Sequence, residues 1–144
     1  MSKALAQAAA QQLFEQDKAS QSLNMILLDA DLGVAQTRMT VSESMINGAE
    51  VCHGGFIFTL ADSAFAFACN SHNVYTVAAA CSIEFLAPGK LHDVLTATAS
   101  ERCLLGRQGI YDVDVHNQRG ELIAVFRGKS ARLKETIIKD DRTT

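Results

Sequence analysis

Between Gly54 and Cys69 the chain reads "GGFIFTLADSAFAFAC", an apolar run interrupted by a single charged side chain, Asp62. The run exceeds the four to eight residues usual for a strand, and its alanines favour helix. Paired glycines suit its entrance, and "NSHN" at 70–73 suits its exit. A helix apolar almost all round must be buried. Whatever the rest of the chain does, it has to wrap this segment.

The flanking pattern supplies the wrapping. The first 22 residues carry Leu5, Ala9 and Leu13 at a spacing of four, which predicts an amphipathic N-terminal helix. "LNMILLDADLGVAQTRMTVS" reads as two strands about a turn at Ala30–Gly33, with Ala35, Thr37, Met39 and Val41 on one face. After the long helix come "VYTVAAACSIEFL", "DVLTATASERCLL", "IYDVDVHN" and "ELIAVFRGKSARL", four further strand signals. The turns between them are "APGK", "GRQG" and "NQRG", with Pro88–Gly89 matching the centre of a type II turn. A run of strands with one segregated helix indicates an α+β domain, an antiparallel sheet against a central helix. Residues 23–133 form that domain, and 134–144 read as a charged, frayed tail.

Composition removes several function classes. At 144 residues with 48% apolar and 20% charged side chains, the chain fits one globular domain. A net charge of −3 gives no reason to expect a nucleic-acid partner. The apolar run is too short to span a bilayer and the N-terminus lacks a signal peptide's apolar stretch, so a cytoplasmic location is expected. Cys52, Cys69, Cys81 and Cys103 show no zinc-site spacing and are expected to be reduced thiols acting as small core residues. His53, His72, His92 and His116 are too scattered for a metal site.

The strand order, with Asn47, the "HGG" of 53–55, Asp62, "CSIEFLAPGK" and "GIYDVDVHNQRGELIAVFRGKS", resembles the phenylacetic-acid-degradation (PaaI-type) thioesterases of the hotdog superfamily. The resemblance covers about residue 23 to 133. It implies a curved antiparallel sheet around a long helix and hydrolysis of acyl-coenzyme A thioesters. The implied substrates are phenylacetyl-CoA, its hydroxylated forms or medium-chain acyl-CoA. No cofactor is implied, since coenzyme A is part of the substrate. Homodimers with shared sites, often paired into tetramers, are also implied.

The residues can be tested against that chemistry. Thioester cleavage needs an oxyanion stabiliser and a nucleophile, but no strong acid, because a thiol of pKa about 8.5 leaves readily. Gly54 stands at the helix entrance, where amides lack intrahelical partners and no Cβ blocks a carbonyl. Asp62 serves either as general base or as nucleophile. Eight residues separate the two, about 12 Å along one helix, too far to serve one carbonyl. Gly54 of one subunit and Asp62 of another must then meet, which predicts an obligate dimer.

Other residues keep two readings each. Asn47 either shapes its loop or, by the resemblance, orients water or thioester. His53 either caps the helix or touches substrate, and Gly55 either serves the turn or binds substrate. Arg127 and Lys129 share a strand face that either meets the coenzyme phosphates or is merely solvated, with Arg107 and Lys90 as alternatives. Some relatives carry Ser or Thr where this chain has Ala78. "RGKS" at 127–130 is not a phosphate loop, because Ile123 stands where the glycine is required. The aromatics Phe56, Phe58, Phe65, Phe67 and Tyr75 either line a pocket or fill core. The rival function is a non-catalytic acyl-CoA-binding protein.

Overall fold

In the computed structural model, which describes residues 2–139, the long apolar segment is one α-helix, Gly54–Asn70, here α3. It is preceded by α1 (Lys3–Gln16), α2 (Lys18–Ser22), β1 (Ile26–Asp31) and β2 (Val34–Thr40). It is followed by β3 (Val74–Phe85), β4 (Val94–Leu105), β5 (Gln108–His116) and β6 (Leu122–Thr136). Among the described residues the six strands form one antiparallel sheet in the order β1-β2-β4-β5-β6-β3. The sheet wraps α3 as the hotdog arrangement requires.

The period-two pattern explains which sheet face meets the helix. On β2, Ala35, Thr37 and Met39 are buried; β4 contributes Leu95, Ala97 and Ala99, and β5 contributes Tyr111, Val113 and Val115. Against them α3 lays Ile57, Leu60, Ala61, Ala64, Phe65 and Ala68. The Phe65 ring packs at 5.6 Å from Tyr111 and 5.8 Å from Phe126, centroid to centroid. Gly128 of β6 makes this possible, since a Cβ there would stand 2.7 Å from the ring. Phe65 and Phe67 are therefore core, whereas Phe56, Phe58 and Tyr75 are half-buried.

Four local expectations need correction. The N-terminal 22 residues are two helices rather than one: the Asp17 carboxylate caps α2 by accepting from the Ser20 amide at 2.9 Å. A capping aspartate breaks a helix without glycine or proline. The tail from 134 is not frayed through Lys139. β6 runs to Thr136, Ile137 is buried, and Asn73 accepts from the Ile138 amide and donates to its carbonyl. Residues 140–144 lie outside the described residues. Gly89 lacks the positive φ of a type II turn; the reversal falls at Lys90–Asp93, with His92 at φ 73°. Only Cys52 and Cys69 are buried; Cys81 and Cys103 are exposed, and all four are free. No described helix is long and apolar enough to cross a membrane.

Candidate active site

The loop before α3 is pinned from both sides. The Cys52 amide donates to Gly89 O at 2.8 Å and the His53 amide to Met45 O at 2.7 Å. His53 then caps the helix, its Nδ1 accepting from the Gly55 amide at 3.0 Å. This satisfies one of the orphan donors of the first turn. Gly55 is thus withdrawn from substrate contact through its N–H, and His53 is committed to capping through Nδ1. The Gly54 amide has no acceptor among the described residues. It stands at the positive end of the helix dipole, where developing negative charge is stabilised.

Gly54 lines an open cleft of about 400 Å³ with Val51, Ile57, Phe85, Leu86 and Pro88. Phe85 is 52% and Leu86 57% exposed, apolar surface left at the mouth of the cleft. The sequence signal for these was "FLAP", where two apolar residues in succession break the strand's alternation. Periodicity alone could not show that they come to lie beside Gly54.

Asp62 lies two turns further along the same unbroken helix. It is half-buried and has neither hydrogen bond nor ion pair among the described residues. Burial first, and then the negative charge of Asp17, push its carboxyl above the usual carboxylate value. A structural aspartate is ordinarily capped or paired, and this carboxylate is neither. It belongs to the partly exposed face of α3, with Gly55, Thr59 and Ala66. Because the helix is regular, about 12 Å of rise separates Asp62 from Gly54, so one chain does not bring them onto one carbonyl.

The remaining candidates are dispersed. Asn47 Oδ1 accepts from the amides of Ala49 and Val51 at 2.9 and 3.2 Å, so its carbonyl builds the loop. Its side-chain amide has no partner among the described residues. Arg127 is bound by Asp112 across the β5–β6 ladder, at 2.7 Å and 3.1 Å. With Lys129 it alternates against the buried Phe126 and Ser130, which puts both on the sheet face away from α3. Of the basic alternatives, Lys90 follows the cleft-lining Gly89, and Arg107 sits in the β4–β5 turn. Ala78 pairs with Ser130 on β3 and offers no hydroxyl. Among the described residues no cluster of three His, Cys, Asp or Glu side chains could hold a metal.

Comparison with known proteins agrees with this fold. The thioesterase superfamily profile matches residues 49–124, a span that holds both Gly54 and Asp62. The acyl-coenzyme A thioesterase PaaI of Escherichia coli is 46% identical over 125 residues, covering 87% of this chain and 89% of its own. The solved structure of E. coli PaaI superposes with a TM-score of 0.92 at 43% identity, over 94% of this chain and 99% of that one. A hypothetical thioesterase from Streptococcus pneumoniae, solved with coenzyme A, gives a TM-score of 0.75 at 26% identity, covering 78% and 91%. The chain belongs to the thioesterase superfamily, in its PaaI-type hotdog branch.

Proposed function

We propose that this protein hydrolyses acyl-coenzyme A thioesters, arylacetyl-CoA foremost, to the free acid and coenzyme A. The observation that carries the reading is a half-buried, unpartnered Asp62 on the same helix as an open Gly54 amide. The thioester carbonyl lies against the Gly54 amide. Asp62 takes a proton from water, which attacks the carbonyl carbon; the tetrahedral oxyanion is held by the amide and the helix dipole. Collapse expels the thiolate, which needs no acid. The steps use protein groups and water alone. Direct attack by Asp62, forming a mixed anhydride that water then cleaves, uses the same two groups.

The two groups come from different subunits of a homodimer. What supports this is the partly exposed stripe on α3 beside β3, an edge strand with Val77, Ala78, Ala79, Ala80, Cys81 and Ser82 all exposed. An unpaired, largely apolar edge is a template for a second copy. Pairs of such dimers, working in the cytoplasm, complete the proposed assembly. The side-chain amide of Asn47 orients the water or the thioester. His53 reaches substrate with Nε2, since its Nδ1 is spent on the Gly55 amide. Lys129 and Lys90 meet the coenzyme phosphates in preference to Arg127, whose charge Asp112 holds.

The test is thiol release over a panel of acyl-CoAs with wild type and Asp62→Asn. Lost turnover with retained acyl-CoA binding is expected; unchanged turnover ends the reading. Random mixing of Gly54→Val and Asp62→Asn subunits should restore about a quarter of wild-type activity if sites are shared. No recovery means that both groups act within one chain.

A further inference from the structure

Asp62 has a second carboxylate in its surroundings that the chemistry above does not use. Asp17 sits at the break between α1 and α2, outside the matched thioesterase span. Its two oxygens do two jobs. Oδ1 accepts from the Ser20 amide at 2.9 Å, and Oδ2 accepts from the Ser20 hydroxyl at 2.6 Å. Ser20 Oγ in turn lies 2.7 Å from Ser63 Oγ. Ser20 has a single hydroxyl proton and gives it to the carboxylate, so the Ser63 hydroxyl must donate to Ser20. The relay therefore has one direction, Ser63 to Ser20 to Asp17, and Ser63 is the residue that directly follows Asp62 on α3. Both serines are buried, Ser20 at 1% and Ser63 at 7% exposed, where a charge-assisted chain is strongest.

We propose that Asp17 is a positioning residue for the reaction: through Ser20 and Ser63 it locks α3 beside Asp62 and directs a negative charge toward that carboxylate. The inference rests on Asp62 being the base, as proposed above. The groups whose fields couple to Asp62 among the described residues are Asp17 from the α1–α2 junction, Cys69 from α3 itself and Cys81 from β3. Burial pushes the Cys69 thiol up to about 12 and raises Cys81 as well, so both stay neutral near pH 7. Asp17 is the charged member of this set. A like charge nearby favours the protonated form of Asp62 and makes its ionised form the stronger base. The N-terminal helices, on this view, tune the reaction from outside the thioesterase core.

Asp17→Asn separates charge from structure, because asparagine caps a helix as well as aspartate does. The measurement is the pH profile of kcat/KM, with thermal stability followed in parallel. The acidic limb should move to lower pH in Asp17→Asn and stay in place in Asp17→Glu, with stability retained in the former. Ser63→Ala cuts the relay and keeps the charge: kcat should fall with KM and the limb unmoved. Should Asp17→Asn fail to fold, Asp17→Ser, another neutral cap, gives the same comparison. An acidic limb that stays put in the neutral variants overturns the proposal, whether or not stability drops. Asp62→Asn distinguishes the two levels: full turnover there refutes the base assignment itself, whereas an inactive Asp62→Asn with an unmoved Asp17→Asn profile refutes only the role of Asp17.

Discussion

Phe85 and Gly54 touch across the mouth of the cleft: a β-carbon built on Gly54 would stand 2.9 Å from the Cζ of the ring. Gly54→Ala must push that ring aside. Because Phe85 is 52% exposed, the ring can swing, and alanine's helix propensity offsets the strain. Net stability should change by less than about 1 kcal/mol, while a misplaced ring lowers kcat/KM about ten- to a hundredfold. Gly128→Ala is the contrast. Its Cβ would meet the fully buried Phe65 ring at 2.7 Å, so overpacking should cost about 1–3 kcal/mol. Urea unfolding of both variants checks the pair, and equal losses would contradict it.

Asp62→Asn should abolish most turnover, by about 10²–10⁴-fold, the usual contribution of a general base. It should also stabilise the fold at pH 7. A carboxyl raised above its ordinary value of 3.8 favours the folded state when protonated, at low pH. That contribution is lost as pH rises through the folded-state value. The variant's advantage in thermal midpoint should therefore be present at pH 7 and vanish below pH 3.8. A midpoint difference independent of pH would refute the burial argument.

Tyr111 donates to Glu101 Oε1 at 2.7 Å, the oxygen that His72 Nε2 also meets at 2.7 Å. Burial pushes the Glu101 carboxyl up, but the hydrogen bonds from Tyr111 and His72 outweigh it and hold the group below its ordinary value. Tyr111→Phe should cost about 1.5–3 kcal/mol near neutral pH, the worth of a hydrogen bond to a charged group. A depressed carboxyl stabilises above its unfolded value of 4.5 and stops doing so as pH falls through the folded one. The gap between wild type and variant should close accordingly under acid, as read by calorimetry.

Ala79, exposed at the irregular step of the β3–β6 ladder, offers a test of the assembly. Ala79→Lys places a charge on the open edge and should split the proposed β3-edge pair, lowering the mass seen in sedimentation velocity, with activity falling in step. Cys81 reports the same event. It should react with a thiol reagent more slowly than Cys103 in wild type and catch up in the variant. Cys52, which burial pushes up to about 11, should stay silent until unfolding.

The long helix and the strands were legible because burial writes a period into the chain: Ala35, Thr37 and Met39 alternate, and 54–70 has no polar stripe to speak of. Gly54 and Asp62 were legible as types at a spacing that a helix converts into length. What stayed hidden depended on distant partners. Arg127 looked free because Asp112, fifteen positions earlier, meets it only through strand register. Asn47 looked available because residue types alone do not show that its carbonyl is spent on amides two and four residues on. The break at Asp17 was hidden since nothing in "EQDKAS" forbids a helix; a side-chain cap decides it. Phe85 gained its importance from a contact with Gly54 that no local pattern encodes.

The two ends of the sheet are not alike, and the difference limits how far copies can be added. At β1 the Asp29 and Asp31 carboxylates accept from the amides of Ala30 and Leu32, a register slip interrupts the ladder after Leu27, and α1 lies alongside, tied by Gln7 to Asp29. Such an end offers a newcomer no straight row of free donors. A sheet open at both ends could string molecules into a fibre without limit. With one end closed off, edge-to-edge joining through β3 stops at two copies, and any larger assembly has to use a different surface.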